Sequence, residues 1–327
     1  MWGSPSKNDN GPARALTLFD STCLIVGIIV GAGIYQTAPD VARGVGGAWG
    51  VLAIWLCGGA LSLCGALGYA ELATAYPREG GDYVYLGRAY GRWAGFLFGW
   101  AQLSVVRPGD IAVMAFVFGT YARSLYEPFA GSELFYAVAA VVLLTVINAL
   151  GVREGKWTQN LLTILKLLGL LAIVGVAFVG TPAPAAREPA GPLPVSLALI
   201  LVLFTFGGWN EMAYVAAEVK DSRRNIVRAL VIGTAAVTVL YLLVNAAFLH
   251  SLGYAGLTQS RAVAADTVAA VFPETGRRLI SALICVSALG ALNGLIFTGA
   301  RISYAMGAEH RVFGCCLLYT SPSPRDS

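Results

Sequence analysis

The sequence predicts an all-α integral membrane protein, and three observations lead to this fold class. Hydrophobic residues make up 57% of the 327 residues and charged residues only 12%, whereas soluble domains carry about 25% charged residues. The apolar residues are gathered into segments of the length that crosses a bilayer as a helix, about 20 residues. Residues 1–15 are polar and lack the apolar core of a signal peptide, so we expect them to form a cytoplasmic N-terminal tail.

Eight apolar segments fit this description, and we number them spans 1 to 8. They lie near residues 17–36, 48–75, 92–122, 134–151, 159–179, 196–218, 226–250 and 278–305. The patch AVAADTVAAVFPETG at 262–276 is too short and too charged to cross. We expect a re-entrant or surface helix there.

The basic residues of the loops predict the orientation of the chain. The larger share of Lys and Arg falls in loops on the N-terminal side of the membrane, including the run KDSRRN at 220–225. Cytoplasmic loops carry such an excess. We therefore expect a cytoplasmic N-terminus and a plasma membrane or bacterial inner membrane location.

Spans 1 and 6 each contain glycines at positions that weaken a helix. Span 1 carries Gly31-Ala32-Gly33 within GIIVGAGIYQT (27–37), and span 6 carries Gly207-Gly208 within LFTFGGWNEMAYVAAEV (203–219). Glycine in a helix interior costs about 1 kcal/mol relative to alanine, although the glycines of span 1 would alone suit close helix packing. Two broken helices, five spans apart and opposite in direction, are typical of an inverted repeat with a binding site at the membrane midplane.

Four motifs make the chain resemble the amino acid–polyamine–organocation (APC) transporters, and among them the L-type amino acid transporter branch. The motifs are GIIVGAGIY (27–35), VVRPGD (105–110), FTFGGWNEMAYVAAEV (204–219) and ALGALNGLIFTGARISYAMG (288–307). The resemblance covers about residues 16–314. It implies the leucine-transporter fold, in which two inverted five-helix repeats enclose one substrate site.

The same resemblance divides the chain into parts. We expect a first repeat at 16–180 (spans 1 to 5) and an incomplete second repeat at 196–314 (spans 6 to 8). Residues 316–327, CLLYTSPSPRDS, resemble the translation of a sequencing adapter, and we expect them to be a non-native tail.

The implied substrate is an amino acid, whose two opposite charges suit the ends of broken helices. Amides around Ala32, Gly33 and Ile34 form the positive N-terminal end of the second half of span 1 and suit a carboxylate. The carbonyls of the residues that end the first half of span 6 suit an ammonium group. The resemblance also implies substrate contacts for Ile29, an aromatic gate at Phe204 and a polar pocket position at Asn210. The full candidate set is Ile29, Ala32, Gly33, Ile34, Phe204, Thr205, Phe206, Gly207 and Asn210.

Lys166 is a lone cation inside span 5, in LLTILKLLGLL. A charge within a membrane span indicates a functional site by default, although a lysine can also snorkel to the interface. In sodium-independent relatives, the resemblance implies, a lysine here replaces a sodium ion and braces spans 1 and 8. We expect that role for Lys166, with Thr298 as a neighbour, and leave proton coupling open.

Other charged residues have structural interpretations. Arg107 and Asp110 lie three residues apart beside Pro108, and an internal ion pair is favoured over substrate contact. Glu211 either faces the pocket, where it would favour cationic substrates, or pairs with a neighbour, and we expect the second. Glu71, Glu218 and the run at 220–225 are expected to form salt bridges at cytoplasmic helix ends.

The sequence argues against several other classes of protein. The net charge of +4 is small and dispersed, which does not suggest nucleic acid binding. His250 and His310 fall on opposite sides of the predicted topology, and no hydrolase, zinc-protease or P-loop motif occurs. We therefore expect no enzyme activity, no cofactor and no metal.

The predicted function is an amino acid permease. We expect neutral L-amino acids as substrates and either sodium-independent antiport or proton symport by alternating access. The alternative is an amino acid sensor or channel with the same fold. Animal L-type carriers bind a heavy chain through a cysteine after span 3; residues 122–133 here hold none, so no disulfide-linked partner is expected.

Overall fold

The structure is a computed structural model that describes residues 14–180, 190–273, 275–310 and 313. Within these residues the regular secondary structure is helical, apart from an isolated parallel β-bridge between Leu16 and Val219. Most of the predicted N-terminal tail and the whole predicted adapter-derived tail at 316–327 lie outside the described residues.

The described residues contain eight helical segments that are long and apolar enough to cross a membrane, which confirms the predicted number. The segments are Leu18–Gln36, Ala48–Ala75, Arg92–Leu125, Ser132–Leu150, Val152–Val179, Val195–Ala213, Ser222–Gln259 and Gly276–Glu309. The predicted start of span 5 near residue 159 is wrong, because the helix already begins at Val152 and buries Gly155 and Gln159. The chain is a multi-pass membrane protein.

Span 1 is broken at the predicted glycines. Its first half, Leu18–Ile29, begins with a capping box, in which Thr17 and Asp20 each accept a hydrogen bond from the other's backbone amide. The chain then leaves the helix and re-enters it at Gly33–Gln36, followed by Ala38–Arg43. The break therefore separates two half-helices, as the glycine pattern predicted.

Span 6 is broken more severely than expected. Its α-helix covers only Val195–Thr205, and after Gly207 and Gly208 the chain continues as 3₁₀-helices at Trp209–Ala213 and Ala216–Glu218. The predicted apolar helix up to residue 218 is wrong in its second half. Gly208 has φ = +113°, a conformation that side-chain-bearing residues rarely adopt.

Span 3 contains a wide turn that the sequence analysis did not predict. A π-helical turn at Gln102–Val106 joins the helices Arg92–Ala101 and Arg107–Leu125. Pro108 lies just beyond it, and a proline removes one amide donor and clashes with the carbonyl four residues earlier. The wide turn relieves that conflict and sets the direction of Arg107 at its end.

The spans pack in two groups. Spans 1, 2, 6 and 7, which we call the bundle, contact one another around the largest apolar core. Spans 3, 4 and 8, which we call the scaffold, share a smaller core that includes Ala115, Ala140 and Leu292. Span 5 contacts spans 1, 7 and 8 and so touches both groups.

Short helices lie between the spans. The short helix predicted within 262–276 is confirmed over Val263–Ala269, which packs on spans 5, 7 and 8. A helix at Asp82–Tyr90, between spans 2 and 3, was not predicted. Near its C-terminal end span 7 kinks at Gly253, and the hydroxyl of the next residue, Tyr254, bonds to the carbonyls of Ala42 and Val45.

Candidate functional site

The breaks of spans 1 and 6 lie side by side. A side chain at Gly33 would meet the methyl and hydroxyl groups of Thr205, each 3.1 Å from its Cβ. The hydroxyl of Thr205 also lies 3.3 Å from that of Thr37. On the other side of the break, a Cβ at Gly208 would come within 2.7 Å of the Ile28 side chain. The glycines therefore allow the two unwound backbones to approach closely.

The backbone groups at these breaks include free donors. The amides of Ala32, Gly33 and Ile34 bond to no backbone carbonyl among the described residues, as expected for the first turn of a helix. On span 6, the carbonyl of Phe204 accepts the Gly207 amide at 3.0 Å.

Tyr241 of span 7 connects the two breaks, and sequence reasoning missed it. Its hydroxyl lies 3.0 Å from the carbonyl oxygen of Ile29 and 3.2 Å from that of Thr205. These are the last residues of the first halves of spans 1 and 6. The ring is fully buried against Trp55 and Phe206. Because a tyrosine in an apolar span is usually a packing residue, its pattern carries no signal of this contact.

The candidate side chains differ in exposure. Ile29, Ala32 and Ile34 are buried in the bundle core, and Phe206 is buried against Trp55. Phe204 and Gly207 are exposed and Asn210 is partly exposed. The gate function of Phe204 stays a prediction, since 75% of this residue's surface is exposed in this conformation.

Lys166 lies between spans 1 and 8, as the resemblance implied. It is fully buried, and its Nζ donates to the carbonyls of Gly27 at 2.7 Å, Val30 at 2.8 Å and Ser287 at 3.0 Å. An ammonium group has three protons, so all of them are engaged. A Cβ at Gly290 would lie 2.7 Å from the Nζ atom, so a larger residue at this position would crowd the ammonium group.

Thr298 does not neighbour Lys166, which corrects the prediction. It lies eleven residues beyond Ser287 on the same helix, roughly 16 Å along the axis. Its hydroxyl donates instead to the carboxylate of Glu211. The residue of span 8 that accepts a hydrogen bond from Lys166 is Ser287, through its backbone carbonyl.

The ion pair predicted between Arg107 and Asp110 is also wrong. Arg107 is buried, and its Nη1 lies 3.1 Å from Oε2 of Glu211, while Asp110 is exposed. Glu211 pairs with a neighbour, as expected, and both partners are shielded from solvent. The guanidinium group also lies 5.5 Å from the ring centre of Tyr214.

A second ion pair connects the end of span 6 to span 8. Glu218 accepts from Nε of Arg301 at 2.6 Å and from Nη2 at 3.0 Å, rather than pairing within a loop. Glu71 forms no ion pair within the described part of the chain. Burial raises the pKa of the nearby Glu79 carboxyl; the charge of Glu218 adds to this and Arg301 opposes it.

The described residues hold no group of three or more His, Cys, Asp or Glu side chains that could bind a metal ion. The polar groups at the two breaks are candidates for holding a different kind of ligand. They offer amide donors on span 1 and carbonyl acceptors on span 6, at one place in the interior of the membrane domain.

Comparison with known sequences identifies related proteins. A family model described as amino acid permease matches residues 16–313. The serine/threonine exchanger SteT of Bacillus subtilis is 32% identical over 325 residues, covering 97% of this chain and 74% of that protein. The b(0,+)-type amino acid transporter 1 of Mus musculus is 32% identical, covering 90% of this chain and 63% of that protein.

A human relative extends the comparison. The large neutral amino acids transporter small subunit 2 of Homo sapiens is 31% identical, and the match covers 94% of this chain and 61% of that protein. The chain thus spans between 61% and 74% of the length of these three relatives. Their names describe transporters, which supports the prediction that the chain is not an enzyme.

Solved structures of distant transporters share the fold. A substrate-bound, outward-open Na⁺-coupled sialic acid symporter superposes with a TM-score of 0.62 at 11% identity, over 94% of this chain and 72% of the other. A nucleobase-cation-symport-1 family transporter in a closed conformation superposes with a TM-score of 0.66 at 13% identity, over 97% of this chain and 73% of the other. The predicted leucine-transporter fold is confirmed.

Proposed function

The chain belongs to the amino acid permease family, and we propose that it carries L-amino acids across the membrane by alternating access. The observation that carries this proposal is the apposition of the two broken helices. Amides at Ala32, Gly33 and Ile34, which bond to no backbone carbonyl among the described residues, suit the substrate carboxylate, and carbonyls at the end of the helix Val195–Thr205 suit its ammonium group. Backbone groups thus bind both charges of any α-amino acid.

The residues around this place favour neutral amino acids. Ile29 is apolar, and Met114 of span 3 is the side chain nearest to Gly31, 3.9 Å from where a Cβ would stand. Glu211 carries a negative charge, but Arg107 neutralises it at 3.1 Å. No unpaired charge among these residues would attract a cationic or anionic side chain.

Transport is proposed to be independent of sodium. The ammonium group of Lys166 takes the carbonyls of Gly27, Val30 and Ser287, the kind of oxygen ligands that a small cation would need. A second cation there would face like-charge repulsion. Antiport is supported by the name of the Bacillus relative, an exchanger; proton symport is the other possibility.

The proposed setting is a plasma membrane or bacterial inner membrane with the N-terminus in the cytoplasm. The excess of basic residues in loops on the N-terminal side supports this orientation. Residues 16–180 and 196–314 would then form inverted repeats around the site. The lack of cysteine in 122–133 supports a carrier without a disulfide-linked heavy chain.

Uptake by proteoliposomes tests this function. We expect saturable uptake of labelled L-serine or L-threonine that continues when choline replaces sodium and that accelerates when the same amino acid is loaded inside. Binding of these amino acids without uptake would contradict the carrier function and favour a sensor. Uptake that stops without sodium would contradict the role proposed for Lys166.

A further inference from the structure

We propose that Glu211, Arg107 and Thr298 form a lock that holds the bundle against the scaffold on the N-terminal side of the site, and that this lock opens in each transport cycle. The inference rests on the proposed function, because a lock of this kind matters only in a protein that alternates between two conformations.

The cluster crosses from one group of spans to the other. Glu211 lies on the 3₁₀-helix Trp209–Ala213, which packs against spans 1 and 2 of the bundle. Arg107 belongs to span 3 and Thr298 to span 8, both in the scaffold. The same carboxylate oxygen, Oε2 of Glu211, accepts from both of them. Any movement that separates bundle and scaffold here must break these bonds.

The cluster lies where an exit path would have to open. Glu211 follows the break of span 6, and the next residues, Met212, Ala213, Tyr214 and Val215, are almost completely buried. The chain then reaches Val219, which pairs with Leu16 just before span 1 begins. This packed layer closes the N-terminal side of the site, and the ion pair lies within it.

The chemistry of the cluster suits a contact that is made and broken. Burying two charges costs free energy because both lose their hydration, and the attraction between them offsets this cost only while the pair keeps its geometry. Once the pair separates, each charge needs solvent or a new partner. The pairing of Arg107 is moreover incomplete, because its buried Nε has no acceptor among the described residues. The closed state therefore leaves one donor unsatisfied, which opposes the pairing and makes separation easier.

Neighbouring groups extend the lock towards the N-terminal side. Tyr214, which lies beneath the guanidinium group of Arg107, donates its hydroxyl hydrogen to Asp82 at 2.9 Å. Tyr69 of span 2 donates to the same carboxylate at 2.6 Å. The pair Glu218–Arg301 also joins the end of span 6 to span 8. The pair Glu218–Arg301 would separate when the lock opens, because its two residues lie on opposite sides of it. The bonds of Tyr69 and Tyr214 to Asp82 would move together with the bundle.

The test measures access to the closed side. Ala305 of span 8 is buried in a small core with Ala213 and Met306. In a variant lacking the native cysteines, Ala305→Cys is the reporter, and a membrane-impermeant maleimide is added on the N-terminal side. We expect Glu211→Gln to raise the modification rate about tenfold, within the range typical of coupling between two conformations. We expect saturating L-threonine to change the rate in the protein that retains Glu211.

Controls separate opening from misfolding. Glu127→Gln makes the same change in an exposed ion pair, 2.9 Å from Arg123, and should leave the rate unchanged. Ala229→Cys, buried in the bundle core near the start of span 7 on the N-terminal side, should stay unreactive in Glu211→Gln, whereas general loosening would expose it. Arg107→Gln/Glu211→Gln leaves no unpaired buried charge and should show the same raised rate at Ala305→Cys.

The outcomes distinguish the lock from the proposed function. An unchanged rate in both Glu211→Gln and the double variant would overturn the lock, even if uptake of L-threonine is normal. A raised rate in both variants, without any response to amino acids, would support the lock and count against the substrate class. Equal increases at Ala305→Cys and Ala229→Cys would also overturn the lock.

Discussion

Lys166 and Arg107 are both buried cations inside membrane spans, but their surroundings differ. The ammonium group of Lys166 bonds to three backbone carbonyls and meets no carboxylate among the described residues. The guanidinium group of Arg107 bonds to the carboxylate of Glu211 and leaves its Nε without an acceptor. Backbone carbonyls move only with their helices, whereas a side-chain carboxylate can separate from its partner. We infer that Lys166 is a permanent brace and Arg107 part of a contact that opens.

The largest effect is expected at the brace. Lys166→Ala should abolish or severely slow transport, because three buried carbonyls lose their donor and each unsatisfied group costs about 1–3 kcal/mol. Membrane insertion should persist, since span 5 becomes more apolar. Uptake in proteoliposomes measures transport. Recovery of the protein from membranes, with a single peak on elution in detergent, measures insertion and folding.

Two further variants make the brace experiment specific. Lys166→Met keeps most of the side-chain volume and should be as inactive as Lys166→Ala, which separates the lost ammonium group from the cavity. Lys220→Met removes an exposed lysine and should retain uptake. Full transport by Lys166→Met would refute the brace.

The ion pair between Arg107 and Glu211, unlike Lys166, can be tested by removing first one charge and then both. Arg107→Met leaves the carboxylate of Glu211 buried without its cation, and we expect a loss of about 3–5 kcal/mol in unfolding free energy. Arg107→Met/Glu211→Met removes both charges and should recover most of that loss. Thermal unfolding in detergent measures both. If the double variant is less stable than Arg107→Met, the pair is not the source of the cost.

Tyr241 tests the connection between the breaks, with a smaller effect. Tyr241→Phe removes one hydroxyl that reaches the carbonyls of Ile29 and Thr205, and should cost about 1 kcal/mol in stability. We expect a further loss of transport, about tenfold, because the end positions of both half-helices become less fixed. Tyr254→Phe is the matched control near the C-terminal end of span 7 and should lower stability without a comparable loss of uptake.

Local patterns predicted the spans and the two breaks, whereas the place of Lys166 between spans 1 and 8 was implied by the family resemblance. Hydropathy marks a membrane helix, and the glycines at 31, 33, 207 and 208 mark where two of these helices unwind. Both signals lie within one stretch of the chain, so they can be read without knowing the tertiary structure. The contact between Arg107 and Glu211 joins residues 104 positions apart. The nearer Asp110 was therefore the natural choice of partner, and it was wrong because the π-helical turn directs Arg107 towards span 6. The contacts of Tyr241 and Thr298 depend on the same tertiary packing.

Thr298 gives the smallest effect and sharpens the comparison. Thr298→Val keeps the shape of the side chain but removes the hydroxyl that donates to Glu211, so we expect a loss of about 0.5–1 kcal/mol in unfolding free energy, as for a single ordinary hydrogen bond. Arg107 still neutralises the carboxylate, and the variant should therefore be more stable than Arg107→Met. Thr120→Val is the matched control, because its hydroxyl donates to the partly exposed Glu133 and its loss should matter less. If Thr298→Val were as damaging as Arg107→Met, the hydroxyl rather than the charge would hold Glu211, and the contrast between the two cations would fail.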